Sequence, residues 1–230
     1  MFDPKTLLDQ LLGGGTATTT GQKGLSPDLV KGLAGGAAVG GLAGILLGGK
    51  STKRLAKTAL KLGGTAALAG LAYKAYNEWQ AAKQPSAPEG PAMKDVTPRP
   101  EGTPFLPRAE ARRNDQSLAL LTAMIAAAKA DGHIDAAEQQ KIFARLDELD
   151  LDMEAKAFIM DELRKPLNID QVVASATSPE LAVEIYAASL LAIDADDPAE
   201  QAYLAMLASR LRLEPGLRLA IEREAVKALA

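Results

Sequence analysis

The sequence GLAGGAAVGGLAGILLGG fills residues 32–49 and contains no charged side chain. Glycine recurs at every fourth position of this stretch, at Gly32, Gly36, Gly40, Gly44 and Gly48. In an α-helix this spacing lines the five glycines along one face, where a second helix can pack closely. Each glycine weakens a helix in water by about 1 kcal/mol relative to alanine, so a helix here needs a bilayer or a partner helix. A flexible linker is the alternative, but the period favours a membrane helix.

The two halves of the chain carry opposite charge. Residues 1–84 hold ten Lys or Arg and four Asp or Glu, a net charge of +6, whereas residues 115–230 have a net charge of −10. This contrast predicts one part that meets a membrane and a second, soluble part. Nucleic acid is not expected as a partner because phosphate contacts need clustered cations. The chain has no cysteine, which excludes disulfides, thiol nucleophiles and thiolate zinc sites.

A second candidate membrane span follows a basic connector. Residues 55–79 are long enough to cross a bilayer, and Tyr73, Tyr76 and Trp79 would form an aromatic belt at the membrane interface. Three arrangements are open: a helical hairpin, a span by residues 32–49 alone, or a span by the second segment alone. The basic connector is expected in the cytoplasm, so the side on which the C-terminal half lies depends on the arrangement.

We predict an all-α protein with four regions. Residues 1–31 form a short helix and a flexible segment, residues 32–80 form the membrane-associated glycine-rich helices, residues 81–114 are a proline-rich linker, and residues 115–230 form a compact acidic domain. The linker assignment depends on seven of the thirteen prolines, which fall between residues 84 and 107.

The apolar residues of the acidic domain recur with the helical period of 3.6, which predicts about seven helices. Their expected ranges are 116–130, 136–149, 153–165, 168–176, 179–193, 198–212 and 215–229. In the first of them Leu118, Leu121, Ile125 and Ala128 are expected to face the core. The N-terminal region has one further predicted helix at residues 2–12, with Asp3 as its N-cap.

Two acidic turns in this domain share one pattern. Each follows an apolar helix and ends at a glutamate that opens the next helix: Asp131, Asp135 and Glu138 form the first, and Asp194, Asp197 and Glu200 form the second. The last two acids of each turn have the form of a capping box, which contributes about 1 kcal/mol per cap. Asp131 and Asp194 are not explained by capping, because they follow helix C-termini, where the helix dipole disfavours negative charge.

A divalent cation would compensate these carboxylates. Carboxylates crowded in one turn are the usual ligands of calcium or magnesium, although the spacing is not that of an EF-hand. Local capping with solvated carboxylates is the alternative. His133 is a further potential ligand, but a single histidine in a polar turn is usually exposed.

The residues of these turns also resemble a known family. DGHID with AAE (131–138) and AIDADDPAEQAYLAMLA (192–208) are similar to the TerB-like domain associated with bacterial tellurite resistance, and the order of the regions resembles the YebE-type inner-membrane proteins. The resemblance implies a bacterial inner-membrane protein that carries an all-helical acidic domain, in which the six acidic residues would line a metal site. The second turn is one residue shorter, which argues against two symmetrical metal sites.

These features do not point to an enzyme. The one histidine has no nucleophile in a recognisable motif, and no glycine-rich loop lies between a strand and a helix. We expect a non-enzymatic, membrane-anchored interaction module of the stress-response type, with an optional divalent metal ion and no other cofactor. The alternative is an oligomeric membrane scaffold or pore, assembled from copies of the chain through the glycine stretch and regulated by the acidic domain.

Overall fold

The computed structural model describes residues 2–12, 64–83, 100–130, 151–193 and 198–229. Within these ranges the chain is all-α, as predicted, with eight helices and no β-strand. In chain order the helices are α1 (Pro4–Leu11), α2 (Gly64–Lys83), α3 (Glu110–Ala128), α4 (Met153–Arg164), α5 (Ile169–Ser175), α6 (Pro179–Leu191), α7 (Pro198–Arg210) and α8 (Pro215–Leu229). Six of the seven helices predicted for the acidic domain are thereby confirmed, and the one at 136–149 lies outside the described residues.

Short polar side chains begin four of these helices, as their sequences indicate. Asp3 accepts hydrogen bonds from the backbone N–H groups of the first turn of α1. Asp152, Asn168 and Ser178 make the same type of cap on α4, α5 and α6. Each cap satisfies an N–H group that has no partner inside its helix, so the chain enters these helices at defined positions.

Helix α6 is the central helix of the fold. Its residues from Ala182 to Ser189 are all buried, and α2, α3, α7 and α8 pack against it. A helix that is apolar on all sides is stable only inside a protein or a membrane. The surrounding helices therefore provide the environment that the sequence of α6 requires.

Helix α2 packs on α6 and α8 and belongs to the same hydrophobic core as the acidic domain. Its residues Ala69, Ala72 and Ala75 are buried, so the small residues of this segment let two protein helices approach closely. Two ion pairs fix the antiparallel direction of α2 and α8. Lys74 Nζ lies 2.9 Å from Glu224 Oε2, and Lys83 Nζ lies 2.6 Å from Glu214 Oε1.

Helix α1 also contributes to this core. Leu7, Leu8 and Leu11 are at most 2% exposed and face α3 and α2. The phenyl ring of Phe2 stacks on Phe158 of α4, with ring centroids 5.1 Å apart. The predicted helix with Asp3 as its N-cap is confirmed, and its apolar face packs on protein.

Residues 100–107, which the sequence assigns to a linker, form a tight turn on the core. Gly102 has a φ of +82°, which favours glycine, and its N–H donates to the Leu106 carbonyl at 2.9 Å. Phe105 at the end of this turn is only 3% exposed. The proline-rich sequence therefore contains one buried anchor, which composition alone does not indicate.

The expectation that Leu118 faces the core is wrong. This side chain is 37% exposed, whereas its neighbours Leu120 and Leu121 are buried. Helix α3 is enclosed on most sides by α1, α4, α5 and α6, and its remaining open strip runs through Asp115 and Leu118. A periodicity analysis that assumes one buried face assigns the wrong side when most of the helix is buried.

Candidate functional site

Helices α3 and α6 run side by side in the same direction. The amide of Gln116 near the start of α3 donates to the carboxyl of Glu184, and Ser189 Oγ further along α6 lies 3.5 Å from the carbonyl oxygen of Ala123. From the first contact to the second, the residue number increases in both helices, so the two helices are parallel. The C-terminal ends of α3 and α6 therefore lie at the same end of the molecule.

The two acidic turns begin at these two helix ends. Asp131 is bonded to Ala130, the last described residue after α3, and Asp194 is bonded to Ile193, the last described residue after α6. Both aspartates lie outside the described residues, whereas the two helix ends that precede them are described. The C-termini of parallel helices each carry about half a negative charge, so this end of the molecule attracts cations.

Only one of the six predicted metal ligands lies in the described part of the chain. Glu200 is in the first turn of α7, is half-buried, and has its Oε2 atom buried. The other five fall outside the described residues, and so does His133. These five are Asp131, Asp135, Glu138, Asp194 and Asp197. Among the described residues, no group of three or more His, Asp or Glu side chains is arranged to hold a metal ion.

Lys129, the cation nearest to the first acidic turn in sequence, is engaged elsewhere. Its Nζ donates to the carbonyl oxygens of Glu162, at 3.0 Å, and of Lys165. These carbonyls belong to the last turn of α4 and to its C-cap, where a cation is favourable. Burial lowers the pKa of Lys129. The charge of this lysine therefore stabilises the C-terminal end of α4.

Sequence analysis did not identify the buried carboxyl of Glu184, which is 1% exposed in the centre of the fold. Burial raises its pKa well above the usual value, the nearby Glu180 raises it further, and the hydrogen bond from Gln116 only partly opposes this shift. Gln116 Nε2 also donates to the Phe105 carbonyl at 3.0 Å, so one amide links α3, α6 and the 100–107 turn. In the sequence, the feature that indicates this site is a single glutamate within the apolar residues 181–191 of α6.

A cleft of about 580 Å³ lies above this buried pair, along the open strip of α3. Its apolar lining includes Pro104, Leu118 and Leu181, and its polar lining includes Arg112 and Gln171. This volume is in the range of small-molecule sites, and the mixed lining suits a ligand with apolar and polar parts. Two hydroxyl groups of the lining are used locally, since Ser175 Oγ donates to the Val172 carbonyl and Ser178 Oγ accepts from the Leu181 N–H.

Two of the three aromatic residues predicted for a membrane interface pack on Phe105, and the third packs on one of these two. The ring centroids of Tyr73 and Tyr76 lie 5.6 Å from that of Phe105, and Trp79 follows 5.5 Å from Tyr76. The Nζ atom of Lys83 lies 4.2 Å from the centroid of the Trp79 ring. These aromatic residues thus have protein contacts, which the sequence analysis did not anticipate.

The predicted helix-packing glycines, Gly32, Gly36, Gly40, Gly44 and Gly48, all lie outside the described residues. In the described part of the chain, no helix combines the length and the apolarity needed to cross a membrane.

Comparison with known proteins gives one family and one curated relative. The family model described as "Protein of unknown function (DUF533)" matches residues 32–225. The "Uncharacterized protein in ampR 5'region" of Yersinia enterocolitica is 29% identical over 105 residues, which cover 46% of this chain and 76% of that protein. No solved structure matches the chain. The match to the family extends from the glycine stretch to α8 and so includes both acidic turns.

Proposed function

Since this chain belongs to the DUF533 family, whose description assigns no activity, we propose its function from the arrangement of its helices. It is a non-enzymatic, TerB-like interaction module of the bacterial inner membrane, similar to the YebE-type proteins. Its two acidic turns together bind one divalent cation, and the ion stabilises the surface that a protein partner recognises in a stress response.

The parallel packing of α3 and α6 carries this proposal. It brings two helix C-termini to one end of the molecule, and each of them continues into an aspartate. Two helix dipoles and several carboxylates then repel one another unless a cation lies among them. Lys129 does not supply that cation, because its ammonium group is bonded to the end of α4. Calcium or magnesium, which prefer oxygen ligands, have the required chemistry.

The role of the membrane in this proposal depends on residues 32–49. Their glycine period, their lack of charge and the positive net charge around them support attachment to a bilayer with anionic lipids. Deletion of residues 32–49 should move the protein from the membrane pellet to the supernatant after cell fractionation. Recovery of the intact chain in the supernatant would contradict membrane attachment and leave the cation site to be tested separately.

Thermal unfolding in calcium or magnesium tests the cation site. An ion at about 100 times its dissociation constant stabilises the folded state by about 2.7 kcal/mol. For a chain of this size we expect the Tm to rise by about 5–10 °C. The double variant Asp131→Asn with Asp194→Asn should lose this rise and should have a higher Tm than the parent without metal, because the repulsion is relieved.

A matched control is Glu110→Gln, which removes an exposed carboxylate from the first turn of α3, at the opposite end of that helix from Ala130. It should retain the full response to the ion. A parent protein whose Tm does not respond to millimolar calcium or magnesium would contradict the cation site. An equal response in the double variant would place the ion elsewhere.

A further inference from the structure

The cleft along the open strip of α3 has a charged end and an apolar end. Arg112 and Asp115 of α3 line the charged end. Leu118 and Ala119 line the following turn of the same helix, and Leu181 of α6 lines the cleft beside them. Because residues three or four apart lie on one face of a helix, their order in the sequence is also their order along the cleft. A cation comes first, then an anion, then an apolar surface.

The two charged side chains of the cleft have no partner in the described part of the chain. Arg112 and Asp115 are both exposed, and neither makes an ion pair or a side-chain hydrogen bond there. Oppositely charged residues with the same spacing do pair on α8, where Lys227 Nζ lies 2.5 Å from Glu224 Oε1. The guanidinium and the carboxylate of the cleft are therefore both available to a molecule that carries opposite charges.

The amide of Gln116 adds a fixed acceptor next to these charges. Its Nε2 atom donates to the Phe105 carbonyl and to the carboxyl of Glu184. A carbonyl oxygen only accepts, so the atom that faces Phe105 must be the amide nitrogen. The amide oxygen accepts no hydrogen bond from the described residues and is not fully buried. Since Gln116 lines the cleft, this oxygen can accept a hydrogen bond from a bound molecule.

These groups match the substituents of an α-amino acid. A guanidinium binds a carboxylate through two parallel hydrogen bonds, which suits Arg112. An ammonium group has three donors and no acceptor, which suits the oxygen atoms of Asp115 and Gln116. The apolar lining at Leu118 and Leu181 would cover an apolar side chain. The volume of about 580 Å³ leaves room for a large one, such as an aromatic ring.

Ligands with a single charge fit the cleft less well. The carboxylate of a fatty acid on Arg112 would lie close to the carboxylate of Asp115, and the cation of a simple amine on Asp115 would lie close to Arg112. Either molecule brings like charges together and leaves one charge of the protein without a partner. The charge pattern of the cleft thus favours a zwitterion.

We propose that this cleft binds a free α-amino acid with a large apolar side chain. The carboxylate of the ligand lies on Arg112, its ammonium group lies on Asp115 and Gln116, and its side chain lies on the apolar surface. Such a ligand would contact α3, α5, α6 and the 100–107 turn together. The inference goes beyond the proposed function, because it depends neither on a cation at the acidic turns nor on membrane attachment.

Isothermal titration calorimetry of the purified full chain tests the proposal, with L-phenylalanine as the probe. We expect a Kd below about 1 mM, corresponding to a binding free energy stronger than about −4 kcal/mol. The analogues 3-phenylpropionate, which lacks the ammonium group, and 2-phenylethylamine, which lacks the carboxylate, should each bind about 10–100-fold more weakly. Because the carboxylate, the ammonium group and the side chain are all recognised around one carbon atom, the L and D forms of phenylalanine should differ in affinity.

Substitutions on the exposed strip of α3 locate the site. Arg112→Gln and Asp115→Asn should each weaken the binding of phenylalanine by about 10–100-fold, since each removes one charged partner. Leu118→Ala should weaken it less, by about 3–10-fold, because part of the apolar surface is lost. Arg223→Gln and Asp161→Asn are the matched controls. They remove exposed charges from residues that do not line the cleft, and they should bind phenylalanine as the parent does.

Three results would overturn the proposal. The first is a parent protein that binds no phenylalanine at about ten times the expected limit of Kd. The second is binding that Arg112→Gln and Asp115→Asn leave unchanged, which would place the ligand elsewhere. The third is equal or tighter binding of 3-phenylpropionate, which would show that the cleft recognises an apolar anion and that Asp115 takes no part. Thermal unfolding without any amino acid shows whether each variant is folded before its binding is measured.

Discussion

Glu184 and Glu224 are both buried carboxyls, but their surroundings shift their pKa values in opposite directions. For Glu184, burial raises the pKa well above its usual value. For Glu224, burial also raises the pKa, but hydrogen bonds from Lys227 and Lys74 outweigh this effect and leave the pKa lowered. The first carboxyl is therefore stable when protonated and the second when charged, which gives each a different dependence of stability on pH.

The variant Glu184→Gln should be more stable than the parent at pH 7. Because the pKa of Glu184 is raised in the folded parent, the unfolded chain ionises this residue more readily, and stability is lost as the pH rises above the usual pKa of about 4.3. Glutamine has the shape of the neutral acid and avoids this loss. Urea unfolding at pH 7 and pH 4 measures the effect, which should nearly disappear at pH 4. The exposed variant Glu110→Gln should show no such difference, and a Glu184→Gln gain that does not depend on pH would contradict this explanation.

The variant Lys74→Met should have the opposite pH dependence. Lys74 helps to lower the pKa of Glu224, and this stabilising effect is present at neutral pH and is lost as the pH falls through the lowered pKa. The variant should therefore have a lower Tm than the parent at pH 7 and nearly the same Tm at acidic pH. The effect should be small, because the side chain of Lys74 is half-exposed and Lys227 still pairs with Glu224. A difference that persists in acid would indicate a loss of packing instead.

At the scale of the helix, the glycines of α2 differ in what surrounds them. Gly64 faces Leu12 of α1 so closely that a side chain would overlap with it, whereas Gly70 has open space where its Cβ would be. Gly64→Ala should therefore weaken this contact between α1 and α2, which we call the α1–α2 junction. It should lower the free energy of unfolding by about 1–3 kcal/mol, the usual cost of an overpacked core, and the Tm should fall accordingly. Gly70→Ala, the matched control, should stabilise α2 by about 0.5–1 kcal/mol. Equal effects of the two substitutions in thermal unfolding would argue against the junction.

The packing of α1 leads to a second test at this scale. Leu8→Ala removes a fully buried side chain and should cost about 2–5 kcal/mol in urea unfolding of the full chain. The control Leu219→Ala, at a position that is 52% exposed, should cost less than about 1 kcal/mol. Unfolding curves that do not change on Leu8→Ala would mean that α1 is not part of the cooperative unit.

Local sequence patterns identified the helices well and their partners poorly. Capping residues such as Asp152 and Ser178 act within one turn, so they mark helix ends regardless of the rest of the fold. The small residues of α2 indicate close helix packing, but protein and lipid environments both favour small residues at a helix contact. The side chain of Phe105 is buried through contacts with distant residues, which no local pattern encodes.

For the candidate sites, too, the sequence predicts local features but not the contacts between distant residues. The two acidic turns are visible in the sequence because they repeat, and the structure adds that the helices before them, α3 and α6, end at the same end of the molecule. The Gln116–Glu184 pair joins residues 68 positions apart. A charge inside α6 is costly to bury, but the partner of Glu184 could not be deduced without the fold.

At the scale of the whole molecule, one hydrophobic core extends from α1 to α8. The acidic domain that the sequence delimits at residues 115–230 therefore lacks two helices and the Phe105 anchor. A fragment of residues 115–230 should unfold at a lower temperature than the full chain and should bind a hydrophobic dye, because the faces of α6 and α8 that α2 covers would be exposed. A fragment with the Tm of the full chain and no dye binding would contradict a single core.

The position of α1 also has a consequence for the synthesis of the protein. Helix α1 leaves the ribosome well before its main partner α3, which ends at Ala128, more than a hundred residues later. At roughly 5–20 residues per second, α1 waits for roughly 5–25 s before α3 is complete. During this interval Leu7, Leu8 and Leu11 form an uncovered apolar stripe on a nascent chain, which is a surface that chaperones and lipid bind. The stripe is fully covered only when α3 has been made, long after α1 itself.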